Sequence, residues 1–165
     1  MYIMKNLKLI SLILIVVMFA VFMAGCSGAS DEFTTYINET SYDILQDEGK
    51  IISKLDPNGT NYEIISQLEE DVIPGYKDLI DGAKDISLET KEINDLNDTL
   101  IEYLEKKLEM YEGYLAVYKA TTEAQATSAV ETMSEAKEKS DELYEKFCDD
   151  RDALAKDLGV ELEAA

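Results

Sequence analysis

Between Ile93 and Tyr118 the apolar residues keep one spacing. Ile93, Leu96, Leu100, Leu104, Leu108, Tyr111, Leu115 and Tyr118 follow one another at intervals of three or four. At 3.6 residues per turn this draws one stripe down a long helix. An apolar stripe must be buried, so the rest of the chain has to supply packing partners. It supplies them in the same period. No sustained period-two alternation occurs, no Asn-Gly turn joins β-rich runs, and Pro stands only at Pro57 and Pro74. Ala, Leu, Glu and Lys are abundant, which favours helix.

Four helices are expected. The first runs from about Asp31 to Leu55, capped by Ser30, with Phe33, Ile37, Ile44, Ile51 and Leu55 on its apolar face. Gly49 interrupts it as a tolerated glycine rather than a bend or a close contact. Asp56-Pro57-Asn58-Gly59 turns the chain. Thr60 and Glu63 form a capping-box pattern at the start of the second helix, which carries Ile64, Ile65, Leu68, Val72 and Ile73. Pro74 must kink or restart that helix, because it lacks an N–H and clashes with the preceding turn. Tyr76, Leu79 and Ile80 then continue it to about Lys84.

Asp85 to Glu89 reads as a connection, and the third helix spans about Thr90 to Thr121. Residues 121–127 hold no Gly or Pro and leave loop and continuous helix equally open. A second capping box, Ser128 with Glu131, places the last helix at Ser128–Leu158, with Val130, Met133, Ala136, Leu143, Phe147, Leu154 and Leu158 facing the core. Gly159 supplies a left-handed C-cap followed by Val160. Helices of roughly 35 to 50 Å with mostly short connections imply an all-α domain, an up-down antiparallel four-helix bundle over residues 31–160, with 161–165 as a tail.

The N-terminus carries a different signal. Lys5 and Lys8 precede fourteen residues, Leu9 to Phe22, among which Ser11 is the only polar one. A membrane-spanning helix needs about 20 apolar residues. A positive start, a short apolar run and then small residues make a secretory signal. The run ends in Met23-Ala24-Gly25-Cys26. Small residues before a cysteine let a peptidase accept the extended backbone and leave the thiol free for a diacylglyceryl thioether.

Residues 1–26 resemble a bacterial lipoprotein precursor with Met23, Ala24, Gly25 and Cys26 as its lipobox, Met23 standing where Leu is usual. The resemblance implies cleavage after residue 25, lipidation at Cys26 and anchorage at the extracytoplasmic face of the cell membrane. Two acyl chains suffice for stable anchorage. Residues 26–30 then read as a lipidated tether, since Ser27-Gly28-Ala29-Ser30 are small. More loosely, Ile73-Pro74 with Tyr76, the Tyr-rich third helix and the Leu158-Gly159-Val160-Glu161 ending resemble small helical lipoproteins of Gram-positive bacteria, some described as cell-wall-binding. That likeness supplies no catalytic residues.

Charge and composition narrow the chemistry. With 15 Lys+Arg against 35 Asp+Glu the net charge is −20, which repels phosphate backbones and argues against nucleic acid. The absence of His removes imidazole metal sites and Ser-His or Cys-His nucleophiles. An EF-hand loop starting at Asp56 fails, with Thr60, Asn61 and Gln67 at positions needing a ligand, Gly and Glu. The carboxylates Glu69-Glu70-Asp71 and Asp149, Asp150 and Asp152 read as a solvated surface, able at most to attract divalent cations weakly. After lipidation Cys148 is the lone thiol, and Asp149 and Asp150 beside it oppose thiolate formation. Cofactors, metals and catalytic residues are therefore not expected.

Tyr103, Tyr111, Tyr114 and Tyr118 cluster on the third helix. Tyr111 and Tyr118 lie on the stripe, Tyr114 borders it, and Tyr103 is expected to face elsewhere. Phenols stack on sugars and peptides while their hydroxyls hydrogen-bond, so Tyr103 and Tyr114 are the candidate ligand-binding residues. The function expected is a non-enzymatic, membrane-anchored binding or scaffolding domain meeting an envelope protein or cell-wall component. The alternatives are a binding module for cell-wall fragments or peptides on the Tyr-rich helix and, remotely, a carboxylate-dependent hydrolase.

Overall fold

The computed structural model describes residues 28–162, so Met23, Ala24, Gly25 and Cys26 lie outside the described residues. Four helices and no strand are found among the described residues. Helix α1 covers residues 28–52 and contains a π-helical turn, Tyr36–Ser41, before Tyr42–Ile52. It begins earlier than Asp31, so residues 28–30, expected as tether, are already helical. It ends at Ile52 rather than Leu55, where Lys54 and Leu55 donate to Ile51 and Ile52 in tight turns.

The π-turn explains the buried positions of α1. Phe33, Tyr36, Ser41, Ile44 and Glu48 are all inaccessible, with a step of five between Tyr36 and Ser41. An α-helix would carry that step off the face, whereas an i→i+5 turn closes it. Ser41 Oγ donates to the Ile37 carbonyl at 3.2 Å. Gly49 meets nothing within 4 Å, as expected of a tolerated glycine.

The turn at Asp56 forms as expected, with the Asn58 N–H on Asp56 Oδ1 at 2.9 Å. The capping box is present too: Glu63 N–H donates to Thr60 Oγ1, and Thr60 N–H to Glu63 Oε2 at 2.7 Å. Helix α2 comprises Asn61–Gln67, a π-turn Leu68–Val72 and Ile73–Lys84. Pro74 neither breaks nor ends it. The Ile73 N–H reaches five residues back to the Leu68 carbonyl, and the α-helix restarts with Pro74 in its first turn, where no N–H is needed.

Helix α3 is Lys91–Lys119 and α4 is Glu123–Leu158, about 54 Å long. The start of α4 corrects the expected Ser128. Thr122 accepts from the Gln125 N–H at 3.2 Å, while Gln125 Oε1 accepts from the Thr121 N–H at 3.0 Å. Thr122 thus caps the helix in place of the expected Ser128, Gln125 reaches back past it to Thr121 rather than to the cap's own N–H, and Ser128 lies inside the helix. The face is corrected with it: Val130 is 43 % exposed and Ala129 is buried instead. Gly159 ends α4 in the left-handed region (φ 69°), as expected.

Consecutive helices touch. Lys119–Glu69, Lys77–Glu112 and Lys84–Glu105 join α2 to α3, the residue numbers falling on one as they rise on the other. Between α1 and α2 the numbering is opposed too, with Ile51 against Gly75 and Glu48 bonded to Tyr76, and Lys54 just past α1 pairs with Asp71. Helices α3 and α4 share the largest interface, and there a Cβ on Gly113 would lie 3.1 Å from the Met133 Cα. A side chain at 113 would push α4 away from α3 by at least a few tenths of an ångström.

Candidate functional site

The least expected feature of the core is a carboxylate. Glu48, on the apolar face of α1 between Ile44 and Ile51, is 5 % exposed. Tyr76 of α2 donates to its Oε1 at 2.7 Å, and Tyr103 of α3 donates to Oε1 and Oε2 at 2.8 and 2.9 Å. Around this node the Tyr76 and Tyr111 rings lie 5.2 Å apart, and Tyr103 and Tyr144 of α4 lie 5.3 Å apart. All four helices therefore contribute. Burial, then the neighbouring Glu48 charge, pushes the Tyr76 and Tyr103 hydroxyls far above the ordinary phenol range. Burial first and Glu48 second raise Tyr111 as well.

Tyr103 is therefore not turned away from the core: it is 6 % exposed and its hydroxyl is committed to Glu48. The stripe misplaced it because α3 packs on several helices at once, and its burial near Tyr103 is almost circumferential. Glu48 was missed as a carboxylate; its signal was a charge at helical spacing inside an apolar face.

A second node lies towards the start of α3. Tyr36 donates to Asn97 Oδ1 at 3.2 Å, and Asn97 Nδ2 donates to the Ala83 carbonyl near the end of α2 at 3.1 Å. Burial holds the Tyr36 hydroxyl well above the ordinary range. Beside it Glu32 of α1 accepts from the Thr90 N–H at 3.0 Å and from the Glu89 N–H, capping α3 from another helix. Hydrogen bonding to Thr90 foremost lowers the Glu32 pKa. No buried side-chain polar atom among the described residues lacks a partner.

The other candidate, Tyr114, is half-buried. Its ring meets Tyr118 edge-on at 5.1 Å, with the hydroxyls 3.3 Å apart. That hydrogen bond first, then burial, raises Tyr114 to about 12. The acidic runs are at the surface: Glu69 and Asp71 pair with Lys119 and Lys54, Asp150 with Lys146 and Asp152 with Arg151. No group of His, Cys, Asp and Glu among the described residues could hold a metal, and no described helix is long and apolar enough to cross a membrane. Cys148 is a free, half-buried thiol.

Open grooves flank the α3–α4 seam. One is lined by Glu109, Glu112, Gly113, Ala116, Lys119 and Ala129, among others. The other has Met110 and Met133 in its lining and carboxylates around them. Comparison with protein-family models, curated proteins and solved structures gives no match.

Proposed function

We propose that the protein is a lipid-anchored, extracytoplasmic membrane lipoprotein whose four helices form an up-down antiparallel bundle that works by contact rather than catalysis. The anchor rests on the lipobox sequence ending at Cys26. The bundle topology is supported by the opposed numbering of the α1–α2 contacts Ile51–Gly75 and Glu48–Tyr76 and of the ion pairs between α2 and α3. One observation carries the contact function: the buried polar side chains Glu48, Tyr76, Tyr103, Tyr36 and Asn97 are spent on bonds between helices. Acid-base work by carboxylates needs groups in differing environments that face a substrate. None of these five lines either groove along α3 and α4. A Tyr-based site for wall fragments would retain Tyr114 and lose Tyr103.

Cys26→Ser tests the anchor: release from the membrane fraction or accumulation of precursor is expected. Normal processing and membrane retention, with no mass increment on wild-type Cys26, would refute it. Cross-linking on intact cells tests the contact function. Reproducible bond cleavage of wall fragments by the purified protein, lost on neutralising one acidic residue, would overturn it.

A further inference from the structure

The second groove beside the seam says what kind of partner suits this surface. It has a volume of about 410 Å³ and pairs Met110 of α3 with Met133 of α4. Both side chains are half-buried. Thioethers are flexible and polarizable and mould to apolar partners of varied shape. The rim is acidic, but not all of its charge is available. Lys137 pairs with Asp141 at 2.5 Å and Lys139 with Glu142 at 2.8 Å. Glu138 and Glu145 line the same groove and make no ion pair among the described residues. They stand seven residues apart, two turns along one face of α4, a separation of about 10 Å.

In the companion groove, by contrast, Glu109, Glu112 and Lys119 are already paired with Lys106, Lys77 and Glu69. The uncompensated charge therefore falls on the methionine side. From this we infer that the Met110–Met133 groove docks a cationic amphipathic helix, a deepening of the contact function proposed above. Lys or Arg at i and i+7 of a partner running parallel to α4 meets Glu138 and Glu145, and apolar residues at i−4 and i−3, one turn before the first cation, meet Met133 and Met110, which precede Glu138 along the groove. The net charge of −20 steers such a peptide in and turns anionic polymers and anionic membranes away.

The test uses the full chain in phosphatidylcholine nanodiscs, with chain-free nanodiscs as the blank. The probe is a fluorescent helical peptide of about 18 residues, Lys at i and i+7 and Leu at i−4 and i−3, read by anisotropy. Controls are a Glu-for-Lys version and a scrambled version with the same charge. Tight binding of the first peptide alone is expected. Glu138→Lys with Glu145→Lys should weaken it about tenfold or more, while Glu70→Lys with Asp98→Lys, both exposed and outside the groove, should change it less than about twofold. Because those four positions are exposed, unchanged helicity is expected of both pairs; Met133→Ser gives a second probe of the floor. Equal weakening by both pairs, or equal binding of the scrambled peptide, would reduce the effect to bulk charge and overturn the groove assignment. So would absence of binding, or cross-links from position 133 to a second copy of the chain. Capture of a neutral or acidic partner on cells would overturn the cationic partner while leaving the contact function standing, whereas cleavage of the peptide would overturn the contact function itself.

Discussion

From Ile93 to Leu104, α3 is buried on almost every side, and Asp95, Asp98 and Glu102 are what it leaves exposed besides its first turn. From Leu108 to Tyr118 it buries little beyond Tyr111 and Gly113. The first stretch accepts a hydrogen bond from Tyr36 of α1 at Asn97, donates to Glu48 of α1 through Tyr103, and donates to α2 through Asn97. The second holds α4 by proximity, its Gly113 laid against Met133. Buried polar pairs specify which residue lies opposite which, because a shifted register would strand a carboxylate without donors. A glycine contact specifies only how near two helices come. The better-specified half anchors the fold, and the half held by proximity keeps the open surface.

The largest effect should come from removing apolar volume in the first stretch. Leu104→Ala, at a fully buried position, should cost about 2–5 kcal/mol in urea denaturation. A neutral result would break the contrast at once. Next comes Tyr103→Phe, which takes a donor from a buried carboxylate and should cost about 1.5–3 kcal/mol. Tyr114→Phe, at a half-exposed hydroxyl bonded to Tyr118, should stay within about 0.5 kcal/mol by the same measurement. Gly113→Val should cost about 1–3 kcal/mol by pushing α4 off α3. Gly49→Ala meets open space and should instead stabilise by up to about 1 kcal/mol.

The smallest expected effect is pH-dependent. Bonding to residues 89 and 90 depresses the folded pKa of Glu32. Its contribution is therefore full above the ordinary carboxylate pKa and is lost as pH falls through the lower, folded value. Urea midpoints of wild type and Glu32→Gln, followed downward from neutral pH, should converge across that interval. A constant difference would remove Glu32 from the anchoring of the first stretch.

Much of this fold was legible because apolar spacing is a local signal. The stripe of α3, the capping box at Thr60 and the C-cap at Gly159 each need only neighbouring residues. The node at Glu48 was not, since it joins residues far apart in the chain, and a lone acid on an apolar face reveals its donors only once Tyr76 and Tyr103 arrive. The start of α4 failed for a local reason. Thr122 with Gln125 and Ser128 with Glu131 both satisfy the same capping pattern. The true stripe, Ala129, Met133, Ala136, Ser140, Leu143 and Phe147, is built partly of small and polar residues, so the larger Val130 drew the eye. On the candidate surface, Tyr114 was legible as the border of a stripe. The unpaired Glu138 and Glu145 emerged only when their neighbours' lysines were seen to be taken.

The π-turn in α1 bears on how the gene can change length. Its buried positions run 33, 36, 41, 44 and 48, and each step except one is three or four. The turn Tyr36–Ser41 holds one residue more than an unbroken α-helical face requires. Asn38 and Glu39 within it are exposed. Loss of a single codon at either place converts the turn to ordinary α-helix and restores steps of three and four throughout. Elsewhere in α1 the same deletion swings every later side chain by about 100° and points Glu48 away from its tyrosines. The turn in α1 thus marks where the sequence can change residue number without losing its frame of burial, whereas the one ahead of Pro74 cannot be shortened without putting the proline inside a continuous α-helix.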